Sequence, residues 1–394
     1  MGDQRVHTKL VSVVGGGPAG LMAAEVLATA GVRVVVREQK AAVGRKFLLA
    51  GRGGLNLTHT ESLGAFLDRY GAARPRLAAA IEAFGPGELR AWAAGLGEEP
   101  FVGTSGRVFP AGFRATPLLR NWLARLRELG VEIRVRDRWT GFDDPSAADA
   151  TILALGGASW PTTGSDGAWV GALQRAGIAV TPLQPANCGF AVAWSDVFRD
   201  RFAGQPLKNV ALSVGDRASA RGDAMITRDG IEGGPVYALS ASLRDALAGG
   251  AASTLYVDLM PDVTCDALTS RLARRRAGDS AASWLRRGGF SPVAIGLLRE
   301  ASSNQLSADA SLVAQLAKRL PVRVIAPQPL ARAISTAGGV AFDDVDDAFM
   351  LRRRPGAFVA GEMLDWEAPT GGYLLQATFS TAVAAARGAL AWLA

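Results

Sequence analysis

Three glycines near the start of the chain, Gly15, Gly17 and Gly20, have the spacing G-x-G-x-x-G. Glycines at this spacing allow a tight turn, the close approach of a pyrophosphate to the backbone, and close packing of the helix that follows. Glu38 stands where a dinucleotide-binding domain places the acid that binds a ribose hydroxyl. These residues predict binding of FAD or NAD, and an acid at position 38 disfavours a 2′-phosphate.

A second pattern near the C-terminus separates these two cofactors. Gly361 and Glu362 follow the apolar run AFVAG at 357–361, and TGGY at 370–373 precedes a helical stretch. A flavin needs such a second segment because its ring lies far from the adenine, and a helix N-terminus stabilises negative charge on the reduced ring. FAD is therefore the predicted cofactor, with an ordinary strand–turn–helix as the alternative.

The elements that would position these residues can be read from hydrophobic periodicity. TKLVSVV at 8–14 predicts a strand, Ala19 to Ala30 a helix, and Val32 to Val36 the start of a second strand. This order is a βαβ unit, which requires a parallel sheet. Further segments of the same α/β domain are predicted as helices at 63–94, 117–129 and 374–392 and as strands at 131–137, 150–157 and 357–361.

The middle of the chain has a different hydrophobic pattern. FAVAW at 190–194 and NVALSV at 209–214 alternate, which predicts small antiparallel strands; TLYVDLMP at 254–261 is predicted as the last of them, and 263–320 as helical. Both ends therefore build one domain around an insertion. The predicted boundaries are 1–186 and 325–394 for the FAD-binding domain, 187–262 for the inserted β domain and 263–324 for a helical subdomain.

Several other kinds of chemistry are not indicated. Cys188 and Cys265 lie in no C-x-x-C spacing, and no Ser-His-Asp set, metal cluster or Walker loop is present. A single fingerprint without a dithiol pair argues against reductases that bind FAD and NAD in two matching domains. The first residues contain no apolar signal core and no run predicts a membrane span, so a cytoplasmic protein is expected.

The formal charge of +7 leaves the choice of partners open. A basic surface attracts RNA phosphates or anionic metabolites, whereas 38 arginines among 43 basic residues also fit a bias of genomic base composition. One cluster of arginines surrounds Trp284 in the sequence and comprises Arg271, Arg274, Arg275, Arg276, Arg286 and Arg287. It could bind a nucleic-acid strand or form a solvated helix face.

Longer motifs at both ends carry a family resemblance. The segments are GRKFLLAGRGGLNLTH at 44–59, GRVFP at 106–110, LALGGASWPTTGSDG at 153–167, STAGGVAFDD at 335–344 and AGEMLDWEAPTGGYLLQATFSTA at 360–382, with DAMITRDGIEGGPVYALS at 223–240 in the insertion. Together they resemble a bacterial flavoprotein family that includes bile-acid-ring reductases, an aminoacetone oxidase and a ribosomal RNA dihydrouridine synthase. The resemblance implies FAD as cofactor and a flavin domain of the glutathione-reductase type carrying an inserted antiparallel β-barrel and a small helical domain.

The resemblance also implies roles for individual residues. Gly15, Gly17, Ala19 and Gly20 would hold the pyrophosphate and Glu38 the adenosine ribose. The loop beside the flavin would consist of Arg45, Lys46, Gly53, Gly54 and Asn56. Gly361 and Glu362 would meet the ribityl and phosphate groups, and Gly372, Tyr373 and Leu374 the pyrimidine side of the ring. We further predict cofactor contacts for Pro18, Gln39, Leu55 and Gly156.

Two residues depart from the family pattern. Leu55 stands where many members have a cysteine, so thiol chemistry is lost there, and Arg228 stands where members often have a histidine, so a role for that imidazole does not transfer.

These observations leave three functional hypotheses. The first is an FAD-dependent oxidoreductase that transfers hydride to or from a small molecule, with NADH or NADPH as transient donor and His59, Asn56 and Tyr373 as catalytic candidates. The second is flavin-dependent reduction of uridine in ribosomal RNA. The third is a flavin-binding sensor or scaffold without turnover. The substrate and the oligomeric state stay open.

Overall fold

The computed structural model describes residues 9–143, 148–215 and 218–394. The chain forms two compact units, one made of Met1–Gln184 and Ser335–Ala394 and the other of Pro185–Ile334. The first predicted strand begins at residue 8, which lies outside the described residues. Most of the N-terminal segment that was predicted to contain no export signal lies outside them as well.

The described strands are, in chain order, β1 (Leu10–Val14), β2 (Arg33–Glu38), β3 (Thr58–His59), β4 (Phe101–Val102), β5 (Arg107–Phe109), β6 (Glu132–Val135), β7 (Ala150–Leu153), β8 (Val180–Ala186), β9 (Phe190–Val192), β10 (Pro206–Val214), β11 (Ala218–Thr227), β12 (Gly230–Gly233), β13 (Ser253–Asp258), β14 (Leu320–Pro327), β15 (Ser335–Val340) and β16 (Ala357–Val359).

The described α-helices are α1 (Pro18–Thr29), α2 (Arg45–Ala50), α3 (Leu63–Asp68), α4 (Arg74–Ala83), α5 (Pro86–Gly95), α6 (Ala115–Glu128), α7 (Val170–Arg175), α8 (Asp196–Phe202), α9 (Gly234–Ala238), α10 (Ser240–Leu247), α11 (Cys265–Leu272), α12 (Ala281–Arg287), α13 (Pro292–Ala301), α14 (Ala310–Lys318) and α15 (Tyr373–Leu393). A 3-10 turn at Gly361–Met363 follows β16.

The first unit is built on a parallel sheet with the strand order β16-β7-β1-β2-β6. Val13 of β1 lies beside Val36 of β2 and Ile152 of β7, and all three side chains are fully buried. Apolar runs of this kind suit strands that are covered on both faces. The predicted βαβ unit and the strands predicted at 131–137, 150–157 and 357–361 are confirmed.

Helices cover this sheet with apolar faces. α1 and α15 pack on each other, and Leu21 and Phe379 are fully buried in the same core. The helices predicted at 117–129 and 374–392 are confirmed as α6 and α15, and the helical region predicted at 63–94 is divided into α3, α4 and α5. A small antiparallel sheet, β3-β5-β4, completes the part of this unit that carries the candidate site.

The second unit is a closed six-stranded barrel in the order β10-β11-β12-β9-β14-β13. The prediction that 254–261 forms its last strand is wrong, because β14 pairs with both β13 and β9 and closes the barrel after the helical region. β14 alternates buried and exposed residues, but Pro321 and Pro327 at its two ends weaken the strand signal.

Helices α11 to α14 share one hydrophobic core with the barrel, in which Leu285, Leu298 and Leu320 are fully buried. The fold class, a glutathione-reductase-type Rossmann domain with an inserted barrel and a small helical part, is confirmed, whereas the residue boundaries of the three predicted domains remain a prediction. No helix in the described ranges has the length and apolar character needed to cross a membrane.

Candidate flavin site

The turn between β1 and α1 is formed as the glycine spacing predicts. The Gly15 N–H donates to the Arg37 carbonyl over 2.8 Å, which anchors the turn to β2. A Cβ on Gly20 would lie 1.9 Å from the Gly15 carbonyl oxygen, whereas a Cβ on Gly17 would have no described atom within 4 Å. The helix therefore begins pressed against the turn, and open space lies beside Gly17.

The first turn of α1 is arranged for an anionic ligand. Pro18 occupies its first position, and neither a side-chain cap nor an acidic residue is found there among the residues described. The amide groups of Ala19 and Gly20 and the positive end of the helix dipole are thus left to an external group. This is the environment that a pyrophosphate requires.

Glu38 at the end of β2 is held by two backbone groups. Oε2 accepts the Gly16 N–H over 2.9 Å and Oε1 accepts the Lys40 N–H over 2.7 Å. A carboxylate has about four acceptor positions, so two remain for the hydroxyls of a ribose. The neighbouring Gln39 donates its amide to the Gly164 carbonyl over 2.6 Å, which fixes the next loop beside it.

The N-terminal and C-terminal segments of the first unit meet at a partly buried ion pair. Lys46 Nζ in α2 lies 2.7 Å from Glu362 Oε2 and 2.6 Å from Ser159 Oγ. Glu362 also accepts the N–H groups of Thr336 over 3.0 Å and Gly157 over 3.3 Å. This junction brings α2, the loop after β7, β15 and the turn after β16 to one place.

Gly156 and Gly361 border this junction. A Cβ on Gly156 would lie 3.3 Å from Ser165 Oγ, and that hydroxyl is buried without a hydrogen-bond partner in the described chain. A Cβ on Gly361 would lie 2.8 Å from Cβ of Ala19, so the C-terminal turn packs on the start of α1. Arg45, one position before Lys46, is exposed at the start of α2.

The loop after α2 carries further predicted residues. Gly53 is exposed, and Gly54 adopts φ +116° against the Phe113 ring. Leu55 is 1% exposed and donates its N–H to the Phe113 carbonyl over 2.8 Å, so this departure from the family pattern is a core residue. Asn56 Oδ1 is buried and has no partner within the part of the chain that the structure describes.

His59 has both ring nitrogens engaged by the backbone. Nδ1 accepts the Glu61 N–H over 3.2 Å, and Nε2 lies 2.9 Å from the Ser105 carbonyl oxygen. The hydrogen bonds therefore assign a neutral ring with its proton on Nε2. In this arrangement His59 has no free nitrogen with which to exchange a proton.

Tyr373 opens α15 and stacks on His59 with ring centroids 5.6 Å apart. The Tyr70 hydroxyl donates to the Tyr373 carbonyl over 2.8 Å, and the Arg69 guanidinium lies 5.7 Å from the Tyr373 ring centre. Burial and a hydrogen bond to Glu61 raise the pKa of Tyr373 well above its ordinary value. Gly372 caps the helix and Leu374 is half-buried behind it.

The remaining candidates lie in the second unit. The six predicted arginines around Trp284 are all exposed, but Trp284 is 2% exposed and donates its indole N–H to the Leu272 carbonyl. Arg275 covers the ring at 4.7 Å. Trp284 is therefore unable to stack on a base. Arg228 lies 3.8 Å from Asp200 on the surface.

Three contributors to the site were missed in the sequence. Thr336 donates its N–H to Glu362, Ser159 Oγ accepts from Lys46, and Ser165 lies beside Gly156, and all three stand in motifs that carried the family resemblance. The motifs themselves indicated that these segments belong to the site. The individual contacts could not be predicted, because each joins residues that are far apart in the sequence.

The residues present fit FAD. Open space beside Gly17 at an uncapped helix, the spare acceptor positions of Glu38, and the unpartnered oxygens of Ser165 and Asn56 supply an anion site, a hydroxyl site and two polar contacts.

The chain is similar to known proteins over almost its whole length. The family model for the HI0933-like protein Rossmann domain matches residues 9–388. A 3-dehydro-bile acid delta(4,6)-reductase from Clostridium scindens is 27% identical over 407 residues, covering 96% of this chain and 98% of that protein.

Solved structures of oxidoreductases have a similar fold. A flavocytochrome c3 fumarate reductase matches with a TM-score of 0.50 at 16% identity, over 99% of this chain and 79% of the other. A 3-ketosteroid delta1-dehydrogenase from Sterolibacterium denitrificans matches with a TM-score of 0.50 at 14% identity, over 98% of this chain and 100% of the other.

Proposed function

This chain belongs to the HI0933-like family of Rossmann-domain proteins, and we propose that this FAD-dependent oxidoreductase transfers hydride between its flavin and a small organic molecule. The observation that carries the proposal is the Lys46–Glu362 junction. It joins the C-terminal segment that a flavin needs to α2, whose N-cap Gly44 donates its N–H to the Gly16 carbonyl of the glycine turn. The reductase from Clostridium scindens supports a small molecule as the substrate.

Each part of the cofactor has residues suited to hold it. The start of α1 would bind the pyrophosphate, Glu38 the ribose, and the Lys46–Glu362 junction with Ser165 the middle of the molecule. Asn56 and Tyr373 would lie toward the ring. When bound, the flavin accepts or donates hydride, and the protein supplies orientation and proton handling.

Tyr373 is assigned to contact with the ring rather than to proton transfer in this proposal. Burial and the hydrogen bond to Glu61 raise the pKa of Tyr373, so its hydroxyl is a weak acid at neutral pH. His59 is assigned to orientation, because its nitrogens are engaged and its ring stacks on Tyr373. We retain the sequence-based candidates Asn56 and Tyr373 as residues that would contact the flavin or the substrate.

The electron donor and compartment follow from sequence features. One dinucleotide fingerprint is present, so NADH or NADPH would bind transiently rather than in a second matching domain. The two separated cysteines suit a reducing cytoplasm.

Reduction of uridine in ribosomal RNA is the second candidate function. Six exposed arginines on the helical part of the second unit favour it, since they would bind phosphates without base stacking. Binding of that kind weakens steeply with added salt.

A spectroscopic experiment tests both candidates. The purified protein, or the apoprotein supplied with FAD, is examined for flavin absorbance and then mixed anaerobically with NADPH or NADH. We expect a yellow protein that is bleached by a nicotinamide and reoxidised by a small unsaturated carbonyl compound. Reoxidation only by unmodified ribosomal RNA would favour the second function, and a protein that takes up no FAD would refute the proposal.

A further inference from the structure

One face of the small sheet β3-β5-β4 carries an unusual set of side chains. His59 lies opposite Arg107, and Phe101 lies opposite Phe109. Directly opposed residues in an antiparallel sheet point to the same face, and residues two apart on a strand do as well. His59, Arg107, Phe109 and Phe101 therefore form one continuous row across the sheet.

The aromatic end of this row is exposed. Phe101, Phe109 and Phe113 stack with ring centroids 4.9 to 6.4 Å apart and planes within 34° of each other. Phe101 is 44% exposed and Phe113 is 43% exposed. Phe109 is half-buried beside them. Neighbouring exposed aromatic rings of this kind mark a binding surface.

Phe113 shows a second sign of function. Its backbone has φ +58°, which is strained for a bulky residue. A Cβ on Gly54 would lie 2.5 Å from this ring, and Leu55 donates its N–H to the Phe113 carbonyl. In this conformation the ring lies against the loop that we assign to the flavin.

Arg107 supplies a charge in the middle of the row. A Cβ on Gly371 would lie 3.7 Å from Arg107 Nε, so the guanidinium group reaches the turn that opens α15. Arg107 is exposed, and none of the acids in the described ranges forms an ion pair with it. An exposed cation without a partner beside an aromatic surface complements a ligand with an apolar body and a negative charge.

We propose that this face binds the substrate, and that the substrate is a flat apolar ring system carrying an anionic group. The phenylalanines would contact the ring and Arg107 the anion. This inference rests on the proposed function, because it names the substrate class of the same flavin site.

Binding of a fluorescent probe tests the inference without turnover. 1-Anilinonaphthalene-8-sulfonate has an aromatic body and one negative charge, and N-phenyl-1-naphthylamine is the same skeleton without the sulfonate. Both are titrated into the FAD-loaded protein and into the variants Arg107→Met and Phe101→Thr. The matched controls are Arg90→Met on α5 and Leu312→Thr on α14, both exposed positions.

The two variants have different expected effects. Arg107→Met weakens binding of the sulfonate at least ten-fold and leaves the neutral probe unchanged, whereas Phe101→Thr weakens both; the controls match the wild type. Equal binding of the sulfonate by Arg107→Met and wild type would overturn the inference, as would displacement of the probe by uridine monophosphate at lower concentrations than by an apolar carboxylate. Flavin absorbance is recorded for each protein, so a failure to bind FAD is seen separately as a failure of the proposed function.

Discussion

Glu38 ends β2 with each carboxylate oxygen holding one backbone N–H. An amide at this position has a single acceptor oxygen, so Glu38→Gln loses one of these bonds as well as the charge. Hydrogen bonds to charged groups contribute about 1.5–3 kcal/mol, and we expect the dissociation constant for FAD to rise at least ten-fold. Quenching of FAD fluorescence on titration of the apoprotein measures it.

Glu82→Gln serves as the control for this change because Glu82 is exposed on α4. It should bind FAD as the wild type does. Unchanged affinity in Glu38→Gln would remove Glu38 from the ribose site.

Glu61 gives a prediction about pH. The hydrogen bond from Arg69 lowers the pKa of Glu61 below its ordinary value of 4.5. A carboxyl group with a lowered pKa in the folded state stabilises the fold above the unfolded pKa, and this contribution is lost as pH falls through the folded pKa. We expect Glu61→Gln to melt below the wild type at neutral pH, with the gap closing in acid below 4.5.

Melting curves across this pH range check the Glu61 prediction, with Glu82→Gln as a surface baseline. A gap that is constant with pH would show that the Glu61 charge has no part in stability.

For individual residues, contacts within one turn could be predicted from the sequence, whereas contacts between distant segments could not. The role of Gly15 and Gly20 follows from a fixed spacing within one turn, and it could be predicted. Lys46 and Glu362 were both assigned to the cofactor, but their ion pair joins residues far apart in the chain. Nothing in either local segment specifies the partner, so only the folded structure reveals the junction.

The packing of α1 on the glycine turn gives a prediction for a whole element. Gly20→Ala would bring a methyl group to 1.9 Å from the Gly15 carbonyl oxygen, so the helix must move away from the turn. We expect this variant to lose FAD and to melt several degrees lower. Flavin absorbance after gel filtration and a melting curve measure both effects.

Gly64→Ala is the matched substitution. Gly64 lies in α3, and a Cβ there would have no described atom within 4 Å. Alanine in place of glycine in a helix stabilises it by roughly 0.5–1 kcal/mol, so this variant should retain FAD and melt at or above the wild-type temperature. Equal loss of FAD in both variants would contradict the packing argument.

Elements were predictable where periodicity was unbroken. α15 and the apolar strands β1, β7 and β16 were found because their whole length carries one pattern. β14 was missed because prolines stand at its ends and a helical region separates it from the other barrel strands. The closure of the barrel depends on pairing between β14 and strands distant in sequence, which local periodicity does not encode.

At the scale of the whole molecule, the residues assigned to the cofactor belong to one unit. The first unit has its own hydrophobic core and contains Glu38, Lys46, Glu362 and Tyr373. The chain leaves this unit along β8 and returns along β15, and these strands pair with each other. The Ile334 N–H donates to the Asn187 carbonyl over 3.2 Å, so the ends of the insertion lie side by side.

This geometry predicts that the first unit folds and binds FAD without the insertion. Replacing Cys188–Ala333 by an Asn-Gly turn closes β8 onto β15 as a hairpin, since this dipeptide favours the tight turns that join antiparallel strands. Because every residue that we assign to FAD is retained, the shortened protein should bind one FAD with an affinity close to that of the full chain. FAD titration and a melting curve, with the full chain as reference, measure this; a soluble, folded product without FAD affinity would mean that the binding site extends beyond the first unit.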